Sequence, residues 1–226
     1  MREIILDTET TGLDFKRGDR VIEVACIELF NHIPTGKTLQ FYCSTEKKID
    51  EQASRVHGLT NAFLKKFPPF EKQAKNLLAF IGDDLLVIHN ADFDLNFINN
   101  ELVISGLSKI KNKVLDTVSF ARKKLDTRSA SLDYLCKRFS IDTSARKFHG
   151  ALLDCELLSE VYIELLGGRQ KKLDLQKSKN TPDKPNEKKD FGKHKNTQIK
   201  LSKETIDNHK AFVGKINNSI WKKINY

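Results

Sequence analysis

Three apolar residues, Ile4, Ile5 and Leu6, stand unbroken near the start of the chain, and polar positions Asp7, Thr8, Glu9 and Thr10 follow them. An unbroken β-forming run predicts a strand buried on both faces. Residues 20–30 mix alternation with β-branched side chains and predict a second strand. Residues 31–36 read as a turn and 38–43 as a third strand, so the first three strands form an antiparallel meander. A loop is expected from there to Val56-His57-Gly58-Leu59-Thr60. The period then changes. Apolar residues at 70, 74, 77, 78 and 81 predict a helix over 70–81. Residues 85–89 read as a short buried strand, and Phe93, Phe97, Ile98 and Leu102 mark a helix over 92–104. A short strand at 114–115 precedes helices over 117–125, 132–139 and 151–166, the last stopped by Gly167-Gly168. Strands followed by alternating helices and strands predict an α/β fold, a mixed sheet flanked by helices.

The pattern fails after Gly168. From Lys171 to about Gln198 the chain is Lys, Asn, Asp and Pro with few apolar residues, which predicts a flexible basic linker. From Lys171 to Tyr226 there are 15 Lys against 6 Asp and Glu, an excess equal to the net charge of +9 of the whole chain. Residues 1–170 are therefore neutral, and any attraction to nucleic acid or an acidic surface is concentrated in the tail. Apolar residues return from Ile199 onward. Ser202 is placed to cap a helix with Glu204 in its first turn. Ile206, Val213, Ile216 and Ile220 form a stripe, with Phe212 and the only tryptophan, Trp221, beside it. So short a piece cannot bury such a stripe by itself, so it reads as a docking segment on a tether or as an end folded back on the main domain. The expected division is 1–168, 169–198 and 199–226.

At 226 residues and 39% hydrophobic content the chain supports one good domain plus an appendage. Cys26, Cys43, Cys136 and Cys155 are scattered without a C-x-x-C pair, which argues against a zinc site or a disulfide framework. No apolar run approaches the roughly 18 residues that a membrane span needs. The first residues run straight into a strand, so no signal peptide is expected and the cytoplasm is the expected compartment.

The chemistry begins at Asp7 and Glu9. Residues two apart in a strand point to the same side, so both carboxylates project together from the end of a core strand. Like charges held close repel, and a divalent cation with oxygen ligands, Mg²⁺ or Mn²⁺, relieves that repulsion. In His89-Asn90-Ala91-Asp92-Phe93-Asp94, a strand end meets a helix start and brings in Asp94, with Asp92 as the alternative. His149-Gly150-Ala151-Leu152-Leu153-Asp154 places an aspartate just over one helical turn after a histidine. Asp7, Glu9, Asp94, Asp154 and His149 together are the composition of a two-metal phosphodiester hydrolase. The carboxylates of such an enzyme hold two ions about 4 Å apart. Imidazole, which titrates near neutrality, takes the proton of the attacking water.

The three motifs resemble those of the DEDDh exonuclease family, and Val56–Thr60 and His149–Asp154 through Gly167-Gly168 closely resemble its proofreading members in bacterial replicative DNA polymerases. The likeness spans residues 1–168 and implies a ribonuclease-H-like fold, degradation of nucleic acid from the 3′ end, Asp7, Glu9, Asp94 and Asp154 as metal ligands, and His149 as general base. It also implies that Asp7, Glu9 and Asp154 face the substrate, and that Gln52, which stands where Glu is common, and His57 touch the terminal nucleotide. Thr10, Leu13, Asn90 and Phe93 would shape the nucleotide pocket, core packing being the alternative for Leu13 and Phe93. Gln170-Lys171-Lys172-Leu173-Asp174-Leu175 is similar to a sliding-clamp-binding motif, a Gln followed by the two apolar residues Leu173 and Leu175. Ile206, Phe212, Val213, Ile216, Ile220 and Trp221 are similar to the segment that docks on the catalytic polymerase subunit. Two rivals remain: a free-standing DEDDh nuclease acting on RNA or oligonucleotides, and an inactive adaptor working through its tail.

Overall fold

The computed structural model describes residues 1–168 and 201–215. Its centre is one five-stranded sheet in the order β3-β2-β1-β4-β5, built from β1 (Arg2–Thr10), β2 (Val21–Phe30), β3 (Ile33–Tyr42), β4 (Leu85–Ile88) and β5 (Val114–Asp116). The first three strands are antiparallel neighbours. β4 joins β1 in parallel, and β5 joins β4 in the same way. Helices α1 (Glu51–His57), α2 (Asn61–Leu64), α3 (Phe70–Ile81), α4 (Ala91–Ile104), α5 (Thr117–Leu125), α6 (Leu132–Phe139) and α7 (Ala151–Leu166) follow the meander or link the parallel strands.

The period of two in β1 divides the core. Ile4 and Leu6 face one layer, where they meet Phe70, Ala74 and Leu77 of α3 and Phe97, Ile98 and Leu102 of α4. Ile5 faces the other, with Leu132 and Leu135 of α6 and Leu158, Val161 and Tyr162 of α7. All three β1 residues are fully buried, each worth about 1.5–3 kcal/mol of apolar burial. The same alternation carries past the apolar run. Asp7 and Glu9 share the α7 side with Ile5, while Thr8 shares the α4 side with Ile4 and Leu6. β4 pairs only as far as Leu6, so residues 7–10 overhang the carboxyl ends of the parallel strands. Open α/β sheets hold their ligands at such an edge.

Two elements differ from expectation. The turn after β2 is tighter than the predicted 31–36: Asn31 and His32 both adopt positive φ, the backbone a two-residue hairpin requires, and β3 already begins at Ile33. The loop expected before Val56 contains α1. His57 is its only buried residue, so there is no apolar stripe from which periodicity could have announced it. Gly58, at φ 71°, ends this helix in the left-handed region that suits glycine.

The chain divides into two compact units, one holding the sheet and α1–α7 and the other holding α8 (Lys203–Lys215). In α8 the Thr205 amide donates to Ser202 Oγ at 3.2 Å, the predicted cap. Val213 is buried there and Phe212 exposed. Gln170, Leu173, Leu175, Ile216, Ile220 and Trp221 lie outside the described residues. Among the described residues, no helix is long and apolar enough to cross a membrane.

Candidate active site

The overhanging end of β1 is held from both sides. The Thr11 amide donates to Arg20 O at 2.9 Å, and the Asp50 amide to Thr11 O at 2.8 Å. Thr10 Oγ1 donates to Gly12 O at 2.6 Å. A Cβ at residue 12 would lie 2.4 Å from Asp19 Oδ2 and 2.7 Å from Asp50 Oδ2, so only glycine fits this turn. Asp7 and Glu9 therefore project from a fixed backbone.

α7 lies against β1 and β2 and brings Asp154 to them. Asp7, Glu9 and Asp154 each offer an oxygen within 4.8 Å of the other two. The predicted fourth carboxylate comes from the opposite layer. Asp94, in the first turn of α4, is buried, and its Oδ1 accepts from Thr8 Oγ1 at 2.6 Å. Asp92, the alternative, is exposed. Asp94 lies outside the cluster of three oxygens, yet its charge still reaches Asp7.

Crowded buried acids hold their protons. Burial, then repulsion from Asp94, Glu9 and Asp154, pushes Asp7 well above the usual carboxylate range. Burial, then Asp154 and Glu23, lifts Glu9 to about 8. Burial lifts Asp94 to about 7, with the Thr8 hydroxyl opposing it. Sequence reasoning missed Glu23, although it is one of only two charged residues, with Glu28, in the apolar strand β2. It pairs in register with Glu9 and is 2% exposed. Gln40 Nε2 donates to its Oε1 at 2.7 Å. An all-oxygen, strongly negative donor set fits a hard divalent cation.

His149 stands at the mouth of this cluster. Its amide donates to Val56 O at 3.0 Å, which ties α7's approach to α1. Its Nδ1 lies 3.2 Å from Asp154 Oδ2. Arg146 was also missed, because one arginine in a chain with 31% charged residues carries no signal. Its Nε and Nη2 bond the two oxygens of Asp154 at 2.7 and 2.6 Å.

His57 is buried beside the site, and the Leu59 amide donates to its Nδ1 at 3.0 Å. That bond places the ring proton on Nε2, which has no hydrogen-bond partner among the described residues. Burial lowers its pKa against the opposing pull of the Thr10 backbone, and repulsion from His149 adds to the lowering, so the neutral ring is favoured. Gln52 and Leu13 line one cleft of about 520 Å³ with Val56. Leu13 is 81% exposed, which removes core packing as its role. Phe93 packs on the α4-side core, its ring centroid 4.9 Å from that of Phe97. Asn90, exposed and at φ 67°, opens α4; its amide donates to Asp116 Oδ1 at 3.0 Å.

Comparison with known proteins agrees with this geometry. A family model described as Exonuclease matches residues 4–162. The DNA polymerase III subunit epsilon of Rickettsia felis is 42% identical over 222 residues, covering 96% of this chain and 97% of the relative. The same-named protein of Escherichia coli K12 is 39% identical over 176 residues, 74% of this chain and 72% of its own length. Among solved structures, the nuclease domain of 3′hExo, a DEDDh family member bound to rAMP, matches with a TM-score of 0.65. It covers 73% of this chain and 91% of its own at 16% identity, a likeness of fold.

Proposed function

The chain belongs to the exonuclease family and is a metal-dependent 3′–5′ exonuclease of the DNA polymerase III epsilon type, and from that premise we propose how its residues carry proofreading. The observation that supports the assignment most is the set of carboxylate oxygens of Asp7, Glu9 and Asp154 within 4.8 Å of one another. These three, with Asp94 reaching Asp7 from the α4 side, would hold two divalent ions. The donor chemistry favours Mg²⁺ or Mn²⁺. Such ions supply an activated water and charge stabilisation for the leaving 3′ oxygen. Glu9 and Asp94, protonated in part when crowded alone, give up those protons as they become ligands.

His149, half-exposed at the cluster mouth, accepts the proton of the attacking water. His57, whose Nε2–H is buried beside the Thr10 backbone, is the group we assign to the terminal nucleotide, and Gln52 offers a second polar contact from the same helix. Leu13 covers the base with apolar surface, and Phe93 and Asn90 shape the α4 side of the pocket. The Thr10 hydroxyl is spent on Gly12 O, so Thr10 contributes through its backbone. None of these groups presents a pattern that distinguishes one base from another. Selectivity then comes from the DNA, since a mispaired 3′ end unpairs at lower cost and reaches the site as a single strand.

The DNA polymerase III catalytic subunit is the proposed partner of the tail, through Ile206, Phe212, Val213, Ile216, Ile220 and Trp221. The likeness to the Rickettsia felis protein covers 96% of this chain, which supports a shared tail function. The sliding clamp is the proposed partner of Gln170, Leu173 and Leu175. The cytoplasm is the proposed compartment.

The test is digestion of a labelled primer–template with a 3′ mismatch. Shortening from the 3′ end that requires Mg²⁺, stops with EDTA and runs faster on the mismatch is expected. Intact DNA alongside trimmed single-stranded RNA would move the reading to a ribonuclease.

A further inference from the structure

Arg146 engages two members of the proposed machinery at once. Besides both oxygens of Asp154, its Nη2 lies 2.8 Å from His149 Nδ1. A guanidinium has donors and no acceptor, so in this arrangement Nδ1 accepts and the imidazole proton sits on Nε2. The lone pair of His149 is then occupied by a hydrogen bond and cannot take a proton from water. Asp154 is in the same position, since each of its oxygens already receives a guanidinium hydrogen. The Arg146 side chain is 7% exposed and that of Asp154 8%, so water weakens the pairing little. The remaining arm, Nη1, pairs with Asp133 of α6, which is 70% exposed. One fork therefore spans the acid cluster and a surface carboxylate.

A divalent cation bound by Asp154 would draw on the same oxygens and repel the guanidinium. Building on the metal-site reading above, we propose that Arg146 is a positioning residue that competes with the divalent cation for Asp154. Cation binding then turns the guanidinium off Asp154 and His149 together. Asp133 keeps the displaced guanidinium near the surface, and the freed Nδ1 of His149 becomes available as the base. Loading the cluster and arming the histidine are thereby one event, and a site that lacks its cation holds its base in an unreactive form. The reach is short: Arg146 sits three residues before His149, in a segment tied down by the Arg146 amide on Thr143 O at 2.9 Å and the His149 amide on Val56 O.

Calorimetric titration of the full-length protein with Mn²⁺, without DNA, reads the competition apart from catalysis. Arg146→Gln should bind Mn²⁺ more tightly, on the order of tenfold. Arg146→Lys, which keeps the charge without the fork, should fall between it and the wild type. Unchanged or weaker binding by Arg146→Gln with a native circular dichroism spectrum would overturn the proposal, because a purely structural arginine could only help hold the ligand in place. A second measurement needs no folded variant of altered charge. The Arg146 Nε–H signal in ¹⁵N-labelled wild-type protein, assigned by its loss in Arg146→Lys, should shift and lose its protection from solvent exchange as Mg²⁺ is added. A signal unmoved at saturating cation overturns the competition while leaving the metal site standing. A wild-type protein that binds no cation removes the site and the proposal together.

Discussion

Two arginine–carboxylate forks sit on opposite layers of the sheet, and their surroundings give them different meanings. In the α4 layer Arg20 bonds Glu101 through Nε and Nη2, both at 2.6 Å. In the α7 layer Arg146 bonds Asp154 at 2.7 and 2.6 Å. The pairs are alike in geometry. Glu101, 1% exposed, also accepts the Val21 amide at 3.1 Å, so its charge is answered by fixed donors and the fork clamps α4 to the start of β2. Asp154 has Asp7 and Glu9 against it and shares its arginine with a histidine. The first pair is complete. The second neutralises only part of a larger negative charge, and a dication can do that better. Pairing geometry alone does not tell a clamp from a ligand site; the uncompensated charge around it does.

The largest effect should come from Asp7→Ala. Removing this ligand should lower the exonuclease rate by about 10³-fold or more, since the charge stabilisation it supports is worth several kcal/mol. Circular dichroism should show the fold intact, and retained activity in pure, metal-replete mutant would take Asp7 out of the mechanism. Next comes Glu101→Gln, which leaves Arg20 without its partner and should cost about 3 kcal/mol in denaturant unfolding. Arg146→Gln, in the presence of Mg²⁺, should cost clearly less. Equal losses for the two would erase the contrast between the forks.

A separate test of the crowded layer concerns pH. With EDTA, Glu9 is lifted from 4.5 to about 8 and Asp94 from 3.8 to about 7, burial being the main cause of both. Between those limits the native state binds more protons than the unfolded chain, so stability falls as pH rises from about 4 to about 8. Melting temperatures should show that slope with EDTA and a flatter one with Mg²⁺; a rising slope with EDTA would contradict the crowding. The smallest effect belongs to Thr8→Val. It deletes the hydrogen bond to Asp94 and should cost about 1 kcal/mol, with the Arg20–Glu101 layer otherwise unchanged.

Much of this was legible in the residues. Helices α3, α5, α6 and α7 begin and end where stripes, caps and the Gly167 stop put them, because those signals are local. The pairing of Asp7 with Glu9 followed from the period of two. The same period places Thr8, and through it Asp94, in the other layer, but this becomes visible only once α4 and α7 are known to pack on different faces. α1 was hidden because a seven-residue helix with one buried side chain leaves no periodic trace. Arg146 was hidden because its meaning is tertiary. Nothing local separates it from the neighbouring lysine, and its partners Asp133, His149 and Asp154 converge only when α6 and α7 pack together. For Leu13 the sequence left a pocket role and core packing both open, and only its exposure after the turn at Gly12 removes the second.

Diffraction from crystals soaked in Mn²⁺, with the anomalous signal mapped, tests the central claim most directly. The account predicts manganese within coordination distance of Asp7, Glu9 and Asp154, with the Arg146 guanidinium moved off Asp154 and His149 Nδ1 free of it. Manganese bound elsewhere, or an Arg146 fork still closed on Asp154 beside a fully occupied ion, would contradict it.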